Sequence, residues 1–193
     1  MQATRTACII MMPDDFIPFA EKSGQINEVG ESILRNIFSN KSYWELSNKA
    51  GPYILMINIS AHQLMNLLFA DQFIAIAKQF QVPLNRVCIE VTEASFLTNF
   101  DVALGVINRL RDVGVQFALD DFGTGYSSLA YLQKLPIQHL KLDKSFVAGL
   151  PENRDDLAII ENILSLAKTL HLKVIAEGVE TREQFDLLFH RRH

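Results

Sequence analysis

The sequence predicts an α/β fold built on a parallel sheet. Short apolar runs alternate five times with segments of helical apolar spacing. Strand then helix, repeated, joins parallel strands through crossover helices. Each strand candidate also ends at or near a residue with a polar side chain. The pattern alone leaves two arrangements open, an open doubly wound sheet and a closed β/α barrel.

The elements follow in order. Two helices, about residues 14–22 and 25–39, precede the first clear strand, residues 53–58 (YILMIN). Residues 67–80 then carry helical spacing at Phe69, Phe73, Ile76 and Phe80. VCIEV (87–91) is the second strand, and Asn99 is a good N-cap for a helix with Ala103, Val106, Ile107, Leu110 and Val113 on one face. Gly114 ends that helix and VQFAL (115–119) begins the third strand. A short helix from about Ser127 leads to the fourth strand, 139–142. Residues 155–170 form the clearest helix, with Leu157, Ile160, Ile163, Leu164, Ala167 and Leu170 three or four apart. Residues 172–176 are the fifth strand, and Thr181 with Gln184 three positions on resembles a capping box opening a last helix.

Composition bounds what such a fold does. At 193 residues a single domain spanning 1–193 is expected, short of the roughly 250 residues usual for a β/α barrel. Hydrophobic residues make up 49% of the chain, enough to form a core, which excludes a disordered chain. A net charge of −4 argues against a general nucleic-acid binder, so no DNA partner is expected. Two cysteines, Cys8 and Cys88, make no disulfide scaffold and fit a reducing, cytoplasmic compartment. The apolar run 7–12 is too short for a signal peptide or a membrane span of about 20 residues.

The chemistry lies at the strand ends. The first ends in Asn58, the second in Glu90 with Glu93 close behind, and the third in Asp120 and Asp121; the fourth carries Lys141 and Asp143, and the fifth ends at Glu177. One acid at a strand end is ordinarily a helix cap or a solvated loop residue. Five successive strand ends behaving alike point to one shared site on the C-terminal rim, where parallel α/β folds place their active sites. Oxygen ligands without His or Cys favour Mg²⁺ or Mn²⁺ over zinc. Several acids plus one Asn suit two such ions, an arrangement typical of phosphoester displacement, with Lys141 stabilising developing charge or orienting the attacking water. His62, His139 and His171 show no ligand spacing and read as structural or exposed. In DDFGTGYSSL (120–129), Gly123 and Gly125 give a loop able to take positive φ and to approach a phosphorylated ligand or steady the acids.

These residues resemble the EAL family, bacterial domains that hydrolyse cyclic di-GMP to the linear dinucleotide. The matching segments are DDFIPFAEKSGQI (14–26), INISAHQL (57–64), CIEVTEAS (88–95), ALDDFGTGYSSLAYLQKLPIQHLKLDKSFV (118–147) and VIAEGVET (174–181). The resemblance implies a modified TIM (β/α) barrel holding two Mg²⁺ or Mn²⁺ ions at its C-terminal rim. It implies Asn58, Glu90, Asp120, Asp121 and Glu177 as metal ligands, and Lys141, Asp121 and Glu177 as catalytic residues. Glu93 would hold the loop that contains Gly123 and Gly125, and Asp143 and Glu180 would lie on the substrate side.

The sequence departs from the family pattern in two places. No Glu-Ala-Leu motif lies upstream of Asp14; the nearest match, Gln2-Ala3-Thr4, lacks the acid. The sequence given ends at His193 before a Gln-Gly-Tyr strand. The expectation is a barrel incomplete at its first and last strands, with free edges that favour a homodimer or other self-association. Two functional readings follow. The first is a cyclic di-GMP phosphodiesterase whose activity is weak or lost, favoured by the retained Asn58, Glu90, Asp120, Asp121, Lys141 and Glu177. The second is a degenerate, non-catalytic module that binds cyclic di-GMP or a protein partner, favoured by the missing Glu.

Overall fold

The computed structural model describes residues 11–40, 53–123 and 132–190. Two helices, α1 (Pro13–Lys22) and α2 (Ile26–Ser39), precede β1 (Leu55–Asn58). The chain continues through α3 (Ala61–Leu64), α4 (Phe69–Gln79), β2 (Val87–Thr92), α5 (Phe100–Arg111) and β3 (Gln116–Phe122). It then passes through β4 (His139–Leu142), α6 (Lys144–Ala148), α7 (Arg154–Thr169), β5 (Lys173–Ala176) and α8 (Arg182–His190). The short helix expected from Ser127, and the apolar run 7–12 except Met11 and Met12, lie outside the described residues.

All neighbouring strands pair in parallel, in the order β1-β2-β3-β4-β5. This order decides between the two arrangements the sequence left open. A doubly wound sheet reverses its strand order at a switch point, placing helices on both faces. Here every crossover advances in one direction, so right-handed connections stack the helices on one face, as in the wall of a β/α barrel.

The two faces are built from alternate residues. Val87, Ile89, Val91, Phe117, Leu119, Leu140 and Leu142 join the main core with Phe73 of α4, Ile107 and Leu110 of α5 and Ile160 of α7. The helices were legible for ordinary reasons. Asn99 caps α5, its side chain accepting from Val102 N at 3.2 Å, and Gly114 follows at φ +100°, open only to residues without a Cβ penalty. Helix α7 begins one residue earlier than its apolar periodicity indicates, because Asn153 caps it by accepting from Asp155 N and Asp156 N. Phe38 of α2 and Phe73 of α4 meet edge-on, ring centroids 5.4 Å apart, and so tie α2 to the helix that follows β1.

Candidate active site

Alternation places Asn58, Glu90, Asp120, Lys141 and Glu177 on the sheet face opposite the helix-packed core, at the C-terminal ends of all five strands. Register aligns them: Asn58 lies opposite Glu90, and Lys141 opposite Ile175, two residues before Glu177. The Glu177 N–H continues the ladder by donating to Leu142 O at 3.1 Å.

Lys141 is the centre of the arrangement. Its Nζ lies 2.8 Å from Glu90 Oε2, 3.0 Å from Asp120 Oδ1 and 2.6 Å from Glu177 Oε1. The Lys141 and Glu90 side chains are 6% and 5% exposed, Asp120 14% and Glu177 37%, so the cluster opens to solvent on the β5 side. Burial alone would lower the Lys141 pKa, but the hydrogen bonds to Glu177, Glu90 and Asp120 outweigh it and raise it. The ammonium is therefore held charged, fit to stabilise negative charge and unfit to act as a base.

Asp120 and Asp121 lie inside β3, at its C-terminal end as expected, and the strand runs one residue further, to Phe122. Pairing of β3 with β4 shifts register between Leu119 and Phe122, an irregularity that redirects the two carboxylates. Asp121 takes φ +54°, a left-handed conformation rare outside glycine, and its N–H donates to Asp120 Oδ1 at 3.0 Å. Burial, then the neighbouring Asp120 and Asp143 charges, raise the Asp121 pKa. Gly123 follows at φ +95°, where an added Cβ would stand 3.3 Å from the Phe146 ring. Gly125 lies outside the described residues.

The remaining predicted residues sit around this centre. Glu93 opens a single 3₁₀ turn, Glu93–Phe96, directly after β2. Asp143 caps α6: its Oδ1 accepts from Ser145 N at 2.9 Å, and hydrogen bonds from the Ser145 side chain and backbone hold its carboxyl below the ordinary range. Glu180 is exposed on the loop after β5. Of the histidines, His139 is buried on the Lys141 face with Nε2 2.9 Å from Gln116 Oε1, while burial and Lys173 keep its pKa low. Burial, then the Glu90 charge, push the Cys88 thiol up to about 12, so it stays protonated.

Among the described residues no three His, Cys, Asp or Glu side chains stand together in a metal-holding group; the carboxylates converge on Lys141. The charge balance nonetheless suits a hard cation, because Glu90, Asp120 and Glu177 share a single ammonium and Asp121 adds a further negative charge beside them. A groove over β5 lined by Leu164, Val174, Phe185 and Phe189 is lined by none of these acids.

Sequential parallel strands carrying an acid–lysine cluster on their C-terminal rim define an α/β domain of the barrel type. The chain belongs to the EAL domain family, whose model matches residues 2–192. It is 38% identical over 183 residues to an uncharacterized protein of Mycobacterium tuberculosis, covering 95% of this chain and 29% of the relative. It is 36% identical over 179 residues to the bifunctional diguanylate cyclase/cyclic di-GMP phosphodiesterase MucR of Pseudomonas aeruginosa, covering 93% of this chain and 26% of the relative. The chain thus spans under a third of the length of these curated relatives. Among solved structures, the MucR phosphodiesterase in complex with c-di-GMP matches with TM-score 0.85 at 35% identity, over 94% of this chain and 73% of that one. The EAL domain of Mycobacterium smegmatis DcpA matches with TM-score 0.78 at 37% identity, over 86% and 74%. These matches bear out the α/β, modified-barrel fold and the family expected from the sequence.

Proposed function

We propose that this domain is a divalent-metal-dependent cyclic di-GMP phosphodiesterase, hydrolysing one phosphodiester bond to give the linear dinucleotide. The observation that carries the reading is the meeting of Glu90, Asp120 and Glu177 on Lys141, from β2, β3 and β5 onto β4. Hydrolysis adds water at phosphorus and expels a ribose oxygen, so negative charge grows on the phosphoryl oxygens and on the leaving group. Lys141, kept protonated, would face that charge. Asn58, Glu90, Asp120, Asp121 and Glu177 would hold Mg²⁺ or Mn²⁺, which supplies charge neutralisation and activation of the attacking water. Gly123 lets the chain turn sharply after the paired aspartates, Glu93 would steady that turn, and Asp143 and Glu180 would face the substrate. The likeness to a solved c-di-GMP complex supports the choice of substrate.

Among the described residues no helix is long and apolar enough to cross a membrane, and Cys88 is a free buried thiol; both are compatible with a cytoplasmic location. The strand β5 has a neighbour on one side only among the described residues, which supports self-association; a monomeric elution volume overturns that.

The deciding experiment incubates the purified protein with cyclic di-GMP and Mn²⁺ and follows the linear product by chromatography, with Asp120→Asn as control. Turnover in the parent and its loss in the variant are expected. Binding without turnover replaces the reading with that of a non-catalytic cyclic di-GMP module.

A further inference from the structure

The side chain of Gln184 is spent entirely on joining the loop after β5 to the end of α6. Gln184 is 5% exposed, and its Oε1 accepts from Glu180 N at 2.8 Å and Thr181 N at 3.0 Å. Its own N–H donates to Thr181 Oγ1 at 3.2 Å, completing the capping box of α8. An ordinary capping box stops there. This one also uses the amide nitrogen, which donates across 37 positions to Val147 O at 3.2 Å, in the last turn of α6.

The two segments joined are those that carry the rim's closest ion pair. Helix α6 starts three residues after Lys141, and the loop bound by Gln184 starts at Glu177. Two further contacts draw the same segments together. The Glu177 N–H donates to Leu142 O, and Gly178, at φ +69°, packs so closely on α6 that an added Cβ would stand 2.7 Å from Lys144 Cβ. The Glu177 carboxylate itself is 37% exposed and has solvent as an alternative to Lys141. Its placement at 2.6 Å from Nζ therefore depends on how firmly the backbone from Glu177 to Thr181 is held.

We propose that Gln184 is a positioning residue for this site: by tying the loop after β5 to the end of α6, it sets where the Glu177 carboxylate stands relative to Lys141 and to a bound cation. The proposal deepens the phosphodiesterase reading and rests on it for its kinetic consequence. Gln184 touches neither substrate nor metal. It acts through the loop, as groups behind metal ligands do when they fix ligand direction.

Two variants of the full chain separate its two functions. Gln184→Glu keeps oxygens for Glu180 N and Thr181 N but removes the donor to Val147 O. Gln184→Leu removes both and keeps the bulk. Two readouts are taken, Mn²⁺ affinity by calorimetry together with half-saturating Mn²⁺ for turnover, and backbone amide exchange across 143–149 and 177–181. Gln184→Leu is expected to weaken Mn²⁺ binding about tenfold and Gln184→Glu by about threefold, with kcat of the Glu variant recovered at saturating Mn²⁺. Amide exchange in both segments is expected to quicken about tenfold in the Leu variant. A lower melting temperature with unchanged Mn²⁺ affinity would mean a purely structural cap and overturns the proposal. If the Leu variant does not fold, the Glu variant carries the same test. Should the parent protein neither turn over substrate nor bind Mn²⁺, the phosphodiesterase reading fails, and exchange at 177–181 still decides whether Gln184 holds the loop. Unchanged exchange there rejects that role.

Discussion

The two faces of the sheet are made from alternate residues of the same strands, yet they are stabilised in opposite ways. On the helix side, Ile89, Leu119 and Leu140 are buried among apolar neighbours, where stability follows the area removed from water. On the other side, Glu90 and Lys141 are buried too, and what makes that tolerable is their mutual pairing. One residue of slip in β2 or β4 would exchange the two sets. The fold thus fixes the site's geometry through the same register that fills its core, while the site itself contributes little net stability.

The largest expected effect breaks the charged face. Lys141→Met leaves Glu90 buried without its cation and should cost about 3 kcal/mol in urea denaturation at pH 7, the low end for a broken buried pair because Glu177 reaches solvent. A cost below about 1 kcal/mol would mean that the carboxylates repel one another too little for the ammonium to matter. Ile89→Val tests the opposite face of the strand next to Glu90. It should cost about 1 kcal/mol of stability and leave the Mn²⁺ dependence of turnover unchanged.

Asp143→Ala should cost about 1 kcal/mol through loss of the α6 cap. Because the folded-state pKa of Asp143 lies below its ordinary 3.8, the ionised carboxylate's contribution is complete above that pH and is lost as pH falls through the lower folded value. Melts of parent and variant should therefore differ at pH 7 and converge in strong acid. The smallest effect has the opposite sign. The raised pKa of Asp121 means that its ionised form weakens the metal-free fold at neutral pH, a penalty that disappears as acid protonates it. Asp121→Asn should raise stability at pH 7 in chelator by no more than about 0.5 kcal/mol, since the side chain is exposed and screened, while abolishing turnover.

Much of this contrast was legible in the sequence. Period-two alternation in VCIEV and HLKL separates Glu90 and Lys141 from their apolar neighbours without any knowledge of the fold. The pair Thr181 and Gln184 likewise gave the start of the last helix. What escaped depended on tertiary pairing. The third strand reads as ending in Asp120 and Asp121, but the irregularity between Leu119 and Phe122, set by pairing to β4, has no local sign. Helix α3 is too short to show periodicity, and its one local signal is the Ser60–Gln63 capping box. The amide of Gln184 finds Val147 across 37 positions, a distance no local pattern spans.

The sequential order of the strands also has a consequence for how the domain comes into being. Each strand pairs with the one synthesised just before it, so β1 to β3 can associate while the later segments are still emerging. Glu90 and Asp120 are then in place before Lys141, and Glu177 arrives last. Until β4 docks, the nascent rim is a concentration of negative charge with nothing to oppose it. Assembly therefore passes through a stage in which lysine, or an ambient cation, completes the structure as much as it prepares the chemistry.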